Sequence, residues 1–224
     1  MKRKLIIAAI VAFAVGLVGY FGFQWYLSTH KAESEVVKLE TKEPAIKDKT
    51  ESGVTINSIN ELSGTYTSES TEKVSSEILF KIGGATATQG TFKKFEVSFE
   101  ISDSMKNLNV VIDPASIYTA ESMRDEHLRG DEFFNVKKFS NITFNSSNIV
   151  KGDTSYLAKG SIEFMGLKSD LTVPFTYEGQ SSEDDQVEIF QGKFDFDRIK
   201  YGMQEASGAE NKVTVSFYTA LRKK

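Results

Sequence analysis

The chain has 224 residues, 27 Lys and Arg against 31 Asp and Glu for a net charge of −4, and no Cys. The missing Cys excludes disulfides, Cys-ligated zinc and thiol nucleophiles. The acidic balance argues against a nucleic-acid-binding face, while 17 Phe and 40% hydrophobic residues are enough for a packed core.

Lys2, Arg3 and Lys4 precede 23 uncharged residues, Leu5 to Leu27. As a helix, at about 1.5 Å per residue, that run spans roughly 35 Å, enough for the hydrocarbon core of a bilayer. Tyr20, Trp25 and Tyr26 lie toward its far end, where amphipathic aromatics favour the interface. Ser28, Thr29, His30 and Lys31 follow without a small-residue cleavage site, so an uncleaved anchor is favoured over a removed signal peptide. The basic start places the N-terminus in the cytoplasm and exports the remainder. Ala8, Ala12 and Gly16 recur every four residues, a weak pairing signal compatible with a homodimer; small residues in an ordinary span explain it more simply. The first segment is therefore 1–27, an anchor or uncleaved signal. Residues 28–61 are rich in Glu, Lys, Ser and Thr, carry one Pro and no aromatic residue, and read as a solvated linker.

From Leu62 to Lys224 the pattern changes to period-two alternation. Phe95, Val97, Phe99 and Ile101 share a face, as do Leu108, Val110 and Ile112. Ile142 with Phe144, Ile162 with Phe164, Leu171 to Tyr177, Phe194 with Phe196, and Val213 to Leu221 repeat the motif. Turn residues at Gly83-Gly84, Asp113-Pro114, Gly152-Asp153, Met165-Gly166 and Glu178 to Asp185 separate the runs. Seven or eight regularly spaced strands imply an all-β sandwich or an up-and-down barrel. One helix is expected, over Ser116 to Leu128, with Ser116 as its cap. The segment from Leu62 onward carries 19 basic and 24 acidic side chains, and no Gly-rich phosphate loop opens a helix.

Residues Arg124 to Phe134 concentrate the chemistry: Arg124, Asp125, His127, Arg129, Asp131, Glu132 and a Phe-Phe pair. Asp125 and His127 could orient and accept a proton, but no nucleophile elbow, second His in the domain or Cys accompanies them. Asp125, His127 and Asp131 lack a recognised metal spacing. The simplest reading is a structural network in which Arg124 or Arg129 pairs with Asp125 or Asp131 and pins the helix to the sheet. Catalysis, metal binding and cofactors are not expected.

The blocks Ser116-Ile117-Tyr118-Thr119, Arg124-Asp125-Glu126-His127-Leu128-Arg129, Glu132-Phe133-Phe134-Asn135 and Lys138-Phe139 resemble the signature of the YceI-like family of lipid- and polyisoprenoid-binding proteins. Ile78 to Phe92, Gly160 to Pro174 and Phe194 to Gly202 are similar to further family blocks in the same order. The sequence departs from the family pattern at Met165, at Leu167-Lys168 and at Ser140. The resemblance implies an eight-stranded antiparallel, lipocalin-like barrel over 62–224, with one short helix and an apolar cavity, behind the N-terminal transmembrane helix. It implies a long isoprenoid or fatty lipid as partner and a domain outside the inner membrane, in the periplasm or beyond. Each buried CH₂ contributes about 0.8 kcal/mol, so a hydrocarbon chain needs few polar contacts and head-group selection should be modest. Phe95, Phe99, Phe144, Ile162, Phe164, Val173, Phe175 and Phe217 are the candidate lining residues. A ligand-free structural module of the envelope is the alternative, distinguished by a solid interior.

Overall fold

Alternating β-branched and aromatic residues favour extended backbone, and here they build almost nothing else. The computed structural model describes residues 58–68 and 75–224. The expected anchor, and the linker as far as residue 57, lie outside them. Among the described residues no helix is long and apolar enough to cross a membrane.

Among the described residues eleven strands and one α-helix follow in order: β1 (Gly64–Ser68), β2 (Glu77–Gly84), β3 (Thr88–Phe92), β4 (Phe95–Ile101), β5 (Lys106–Ile112), β6 (Ile117–Tyr118), α1 (Ser122–Arg129), β7 (Ile142–Lys151), β8 (Tyr156–Phe164), β9 (Leu167–Gln180), β10 (Val187–Asp197) and β11 (Ala209–Lys223). Each barrel strand pairs antiparallel with its neighbours, in the order β1-β4-β5-β7-β8-β9-β10-β11, and β11 returns to β1 through Tyr66 opposite Lys223. The result is a closed eight-stranded antiparallel barrel. β2 pairs with the same edge of β11 further along, Phe80 opposite Val215, and β3 pairs with β2. Thus β1 with β2, and β3 with β4, are two long staves, each interrupted once. Closure leaves no free edge between first and last strands, which removes a template for aggregation.

Local chemistry sets the turns. Met165 and Gly166 have φ of 50° and 76°, and Phe164 pairs with Leu167, so a two-residue turn with both central residues left-handed joins β8 to β9. A Cβ on Gly166 would lie 2.8 Å from the Phe139 ring. A bulge between Ser146 and Asn148 bends β7 against β8. The fully buried Ser146 Oγ donates to the Lys159 carbonyl at 2.9 Å there.

The helix is shorter than expected and starts later. Pro114–Ser116 form a 3-10 turn, in which the Ser116 Oγ donates to the Asp113 carbonyl at 2.6 Å and accepts from the Lys94 amide at 2.9 Å. Ile117, 1% exposed, is then drawn into β6 against Phe92 of β3. Burial of that isoleucine outweighs helix propensity at these positions. Only after Ala120, at φ 62°, does the chain turn into α1. The packed domain also begins upstream of Leu62. Ile59, in a 3-10 turn over Ile59–Glu61, is 1% exposed and belongs to the main core.

The two ends of the barrel differ. α1, the β8–β9 turn and the loop between β10 and β11 stand at one end, called here the helix end. At the other, Phe99, Phe175 and Phe190 meet with ring centroids 5.7–6.2 Å apart, and Tyr156 stacks on Phe175 at 5.5 Å. The Ile59 amide donates to the Tyr156 hydroxyl at 3.2 Å and completes this plug.

Candidate ligand cavity

The inward phase of the strands is the apolar one, and toward the helix end it does not meet in the middle. A cavity of about 390 Å³ lies there, within the size range of small-molecule sites. Its wall is built by Phe80 and Ile82 of β2, Phe92 of β3, Ile142 of β7, Ile162 and Phe164 of β8, Phe194 and Phe196 of β10, and Val213 and Val215 of β11. Leu128 of α1 and the following Phe133 and Phe134 form its cap. Phe134 is held edge-on to Phe92 at 5.7 Å and to Phe164 at 5.9 Å. A second space of about 120 Å³ continues toward the plug, lined by Val97, Leu108, Val110, Phe144, Leu171, Val173 and Phe217 among others. Ile78, Ile112, Ile142, Ile162, Phe194 and Val215 border both, so the two spaces are contiguous.

Of the eight candidate lining residues, the structure places Phe144, Ile162, Phe164, Val173 and Phe217 on this wall. Phe99 and Phe175 point inward but lie in the aromatic plug. Phe95 packs against the core without reaching the cavity wall. The wall residues Phe80, Phe92, Phe134 and Val215 were missed as lining candidates. Phe80 and Val215 obey the alternation, whereas Phe134 comes from an irregular segment that no periodicity identifies.

The charged stretch forms a network, with partners other than those expected. Thr119 is its centre. The buried Asp125 carboxylate accepts from the Thr119 amide at 2.8 Å and from its hydroxyl at 2.5 Å. Arg124 donates through Nε to the Thr119 hydroxyl and through Nη2 to its carbonyl, both at 2.8 Å, and pairs with the exposed Glu121 at 3.1 Å. Arg129 donates to the carbonyls of Ala115 and Ile117, each at 2.8 Å, and so ties α1 to β6. His127 lies 3.2 Å from Glu132 and edge-on to Phe133 at 5.0 Å. Asp131 is exposed and in no ion pair among the described residues. Because the chain folds back over the helix there, Arg129 binds backbone carbonyls and Arg124 adds the Thr119 oxygens to its pair with Glu121, so neither arginine meets Asp125 or Asp131. Among the described residues no three or more His, Asp or Glu side chains gather as a metal site would require.

The polar groups on the cavity wall are few and one-sided. Thr86, Thr88, Arg124, His127 and Arg198 face the wider space, and among the described residues no carboxylate does. The His127 side chain is 64% exposed, so the cavity meets solvent beside α1. Beyond the plug the Tyr177 hydroxyl donates to the buried Glu188 at 2.5 Å. Burial first, and the Glu188 carboxylate second, push the Tyr177 phenol well above the ordinary range.

Known proteins share this architecture. A crystal structure of BcnA from Burkholderia cenocepacia superposes with a TM-score of 0.58 at 22% identity, over 66% of this chain and 96% of that one. A polyisoprenoid binding domain from Saccharophagus degradans gives a TM-score of 0.56 at 14% identity, over 71% of this chain and 98% of that one. A UPF0312 protein from Yersinia pestis (strain Pestoides F) is 33% identical over 110 residues, 48% of this chain. The chain spans 57% of that relative's length. The model of the YceI-like domain matches residues 66–221, from within β1 to within β11, and thus reaches every strand of the barrel described above. With that match covering well over half its length, the chain belongs to the YceI-like family.

Proposed function

We propose that the chain is a membrane-tethered, extracytoplasmic binding protein for a long-chain lipid, polyisoprenoid or fatty-acid-like, held in the barrel. The observation that carries this reading is the contiguous apolar space, about 390 Å³ at the helix end and about 120 Å³ beyond it. A hydrocarbon chain gains about 0.8 kcal/mol per buried CH₂, and among the described residues of the inner wall only Thr219 offers it a polar alternative. The Saccharophagus degradans domain, described as polyisoprenoid binding, supports the same class of ligand. The tether rests on Lys2, Arg3 and Lys4 before the uncharged run Leu5 to Leu27.

Lipid extracted from the purified chain and identified by mass spectrometry tests the ligand. The expected result is a long-chain species at near-stoichiometric amount, replaced by an added polyprenyl or fatty chain after delipidation. No co-purifying lipid and no uptake would overturn the reading. Location is tested by labelling, since the chain has no native Cys. Asp103→Cys, at an exposed position between β4 and β5, should react with a membrane-impermeant thiol reagent in intact spheroplasts. Reaction only after lysis would place the domain inside.

A further inference from the structure

Arg198 is the largest fully buried side chain among the described residues, 2% exposed, yet it forms no ion pair among them. It lies just past β10, where Asp197 turns the chain by accepting from the amides of Ile199 and Lys200. Its guanidinium donates through Nε to the Glu210 carbonyl at 3.1 Å, through Nη1 to the Gln204 carbonyl at 2.5 Å, and through Nη2 to Asn211 Oδ1 at 3.5 Å. A guanidinium has five N–H donors, so one on each terminal nitrogen has no partner among the described residues. A buried cation without a counter-charge is costly, and a protein that keeps one normally pairs it.

The place of this cation is informative. Arg198 forms part of the wall of the 390 Å³ cavity, beside Met203 and Ala206 of its own loop. The other two basic groups on that wall already have acids: Arg124 has Glu121 at 3.1 Å and His127 has Glu132 at 3.2 Å. Among the described residues no carboxylate faces the cavity to neutralise Arg198. Apolar chain space therefore runs up to a buried positive charge that has no acidic partner among the described residues.

Building on the lipid-binding reading above, we infer that the ligand is an anionic amphiphile, whose carboxylate or phosphate oxygens are received by the free N–H groups of Arg198 at the helix end of the cavity. Carboxylate and phosphate share the planar or tripodal oxygen edge that a guanidinium meets with two parallel donors. A neutral alcohol offers a single hydroxyl and leaves the charge unmatched. Head-group selection is accordingly sharper than a purely greasy cavity provides.

The test compares three ligands of equal chain length. The full-length chain, delipidated and reconstituted in phosphatidylcholine nanodiscs, is incubated with an equimolar mixture of hexadecanoate, hexadecyl phosphate and hexadecanol. It is then re-isolated and its bound lipid quantified by mass spectrometry, with empty nanodiscs subtracted. At least one anion should exceed the alcohol by roughly tenfold or more, the scale of a hydrogen bond to a charged group. Which anion dominates separates a carboxylate from a phosphate source. Arg198→Gln should lower anion occupancy to the level of the alcohol while alcohol occupancy persists. Equal retention of all three by the native chain overturns the inference and leaves the lipid reading standing. Retention of none overturns the lipid reading itself. If Arg198→Gln does not fold, the comparison on the native chain decides alone.

Discussion

Val215→Phe separates a hollow barrel from a solid one. Val215 sits on β11 between Phe194 of β10 and Phe80 of β2, and it borders both the wide and the narrow parts of the cavity. The substitution adds about four apolar carbons, each contributing about 0.8 kcal/mol if it leaves water for an apolar lining. In a filled interior the same change forces neighbours off their rotamers and costs about 1–3 kcal/mol. Here the ring enters empty space, so the unliganded chain should lie between unchanged and about 2 kcal/mol more stable, after about 1 kcal/mol of side-chain ordering. Binding should move the other way. A guest that loses room for about four methylenes loses about 3 kcal/mol. That is roughly a 150-fold rise in Kd. Urea denaturation of the delipidated chain measures the first effect, and titration with a fluorescent fatty chain measures the second. A destabilisation beyond about 1 kcal/mol would mean an already packed interior. Unchanged affinity would mean that no ligand passes Val215.

Three further outcomes follow from the geometry. Asp125→Ala orphans the Thr119 amide and hydroxyl beneath α1 and should cost about 2–3 kcal/mol in urea denaturation; a midpoint matching the native chain would refute the role of Thr119 as the centre of the network. Gly166→Val sets a β-branched residue at φ 76° and against the Phe139 ring, and should cost about 1–2 kcal/mol in the same assay; a neutral result would mean that the β8–β9 turn is not left-handed. Tyr66, Tyr177 and Tyr218 all have phenol pKa values raised chiefly by burial. Above about pH 10 the unfolded chain releases these protons while the folded one keeps them, so stability should be intact below that pH and fall as pH rises past it. Phenolate absorbance should show a late-titrating fraction that merges with the rest on unfolding; a single ordinary transition in the folded chain would contradict it.

Periodicity found the inward faces but not heights along the barrel. Phe144 and Phe99 share the inward phase, yet one lines the cavity and the other plugs its end. Alternation encodes which side of a strand is apolar, whereas the axial level depends on register and stagger between strands. Those are set by pairs such as Phe99 opposite Leu108 and by the Ser146 bulge, which no single strand's pattern reveals. Ile59 escaped notice because its surroundings are polar and its burial depends on a contact with Tyr156, 97 positions away. The Arg and Asp residues of the charged stretch were legible as a network, but their partners were not. Backbone carbonyls and the Thr119 hydroxyl carry no sequence signature, and Ala120 at φ 62° is the conformational cost of the fold-back that presents them. Arg198 stood in a block already noted for its resemblance, and only its burial without an acid distinguishes it from an ordinary surface arginine.

The aromatic stopper of Phe99, Phe175, Phe190 and Tyr156 makes the bore a cul-de-sac. On the lipid-binding reading, an elongated guest would back in tail first and depart head first through the doorway it used to enter. Whatever loads or unloads the barrel would then meet it beside α1, and loading and unloading would compete for one threshold.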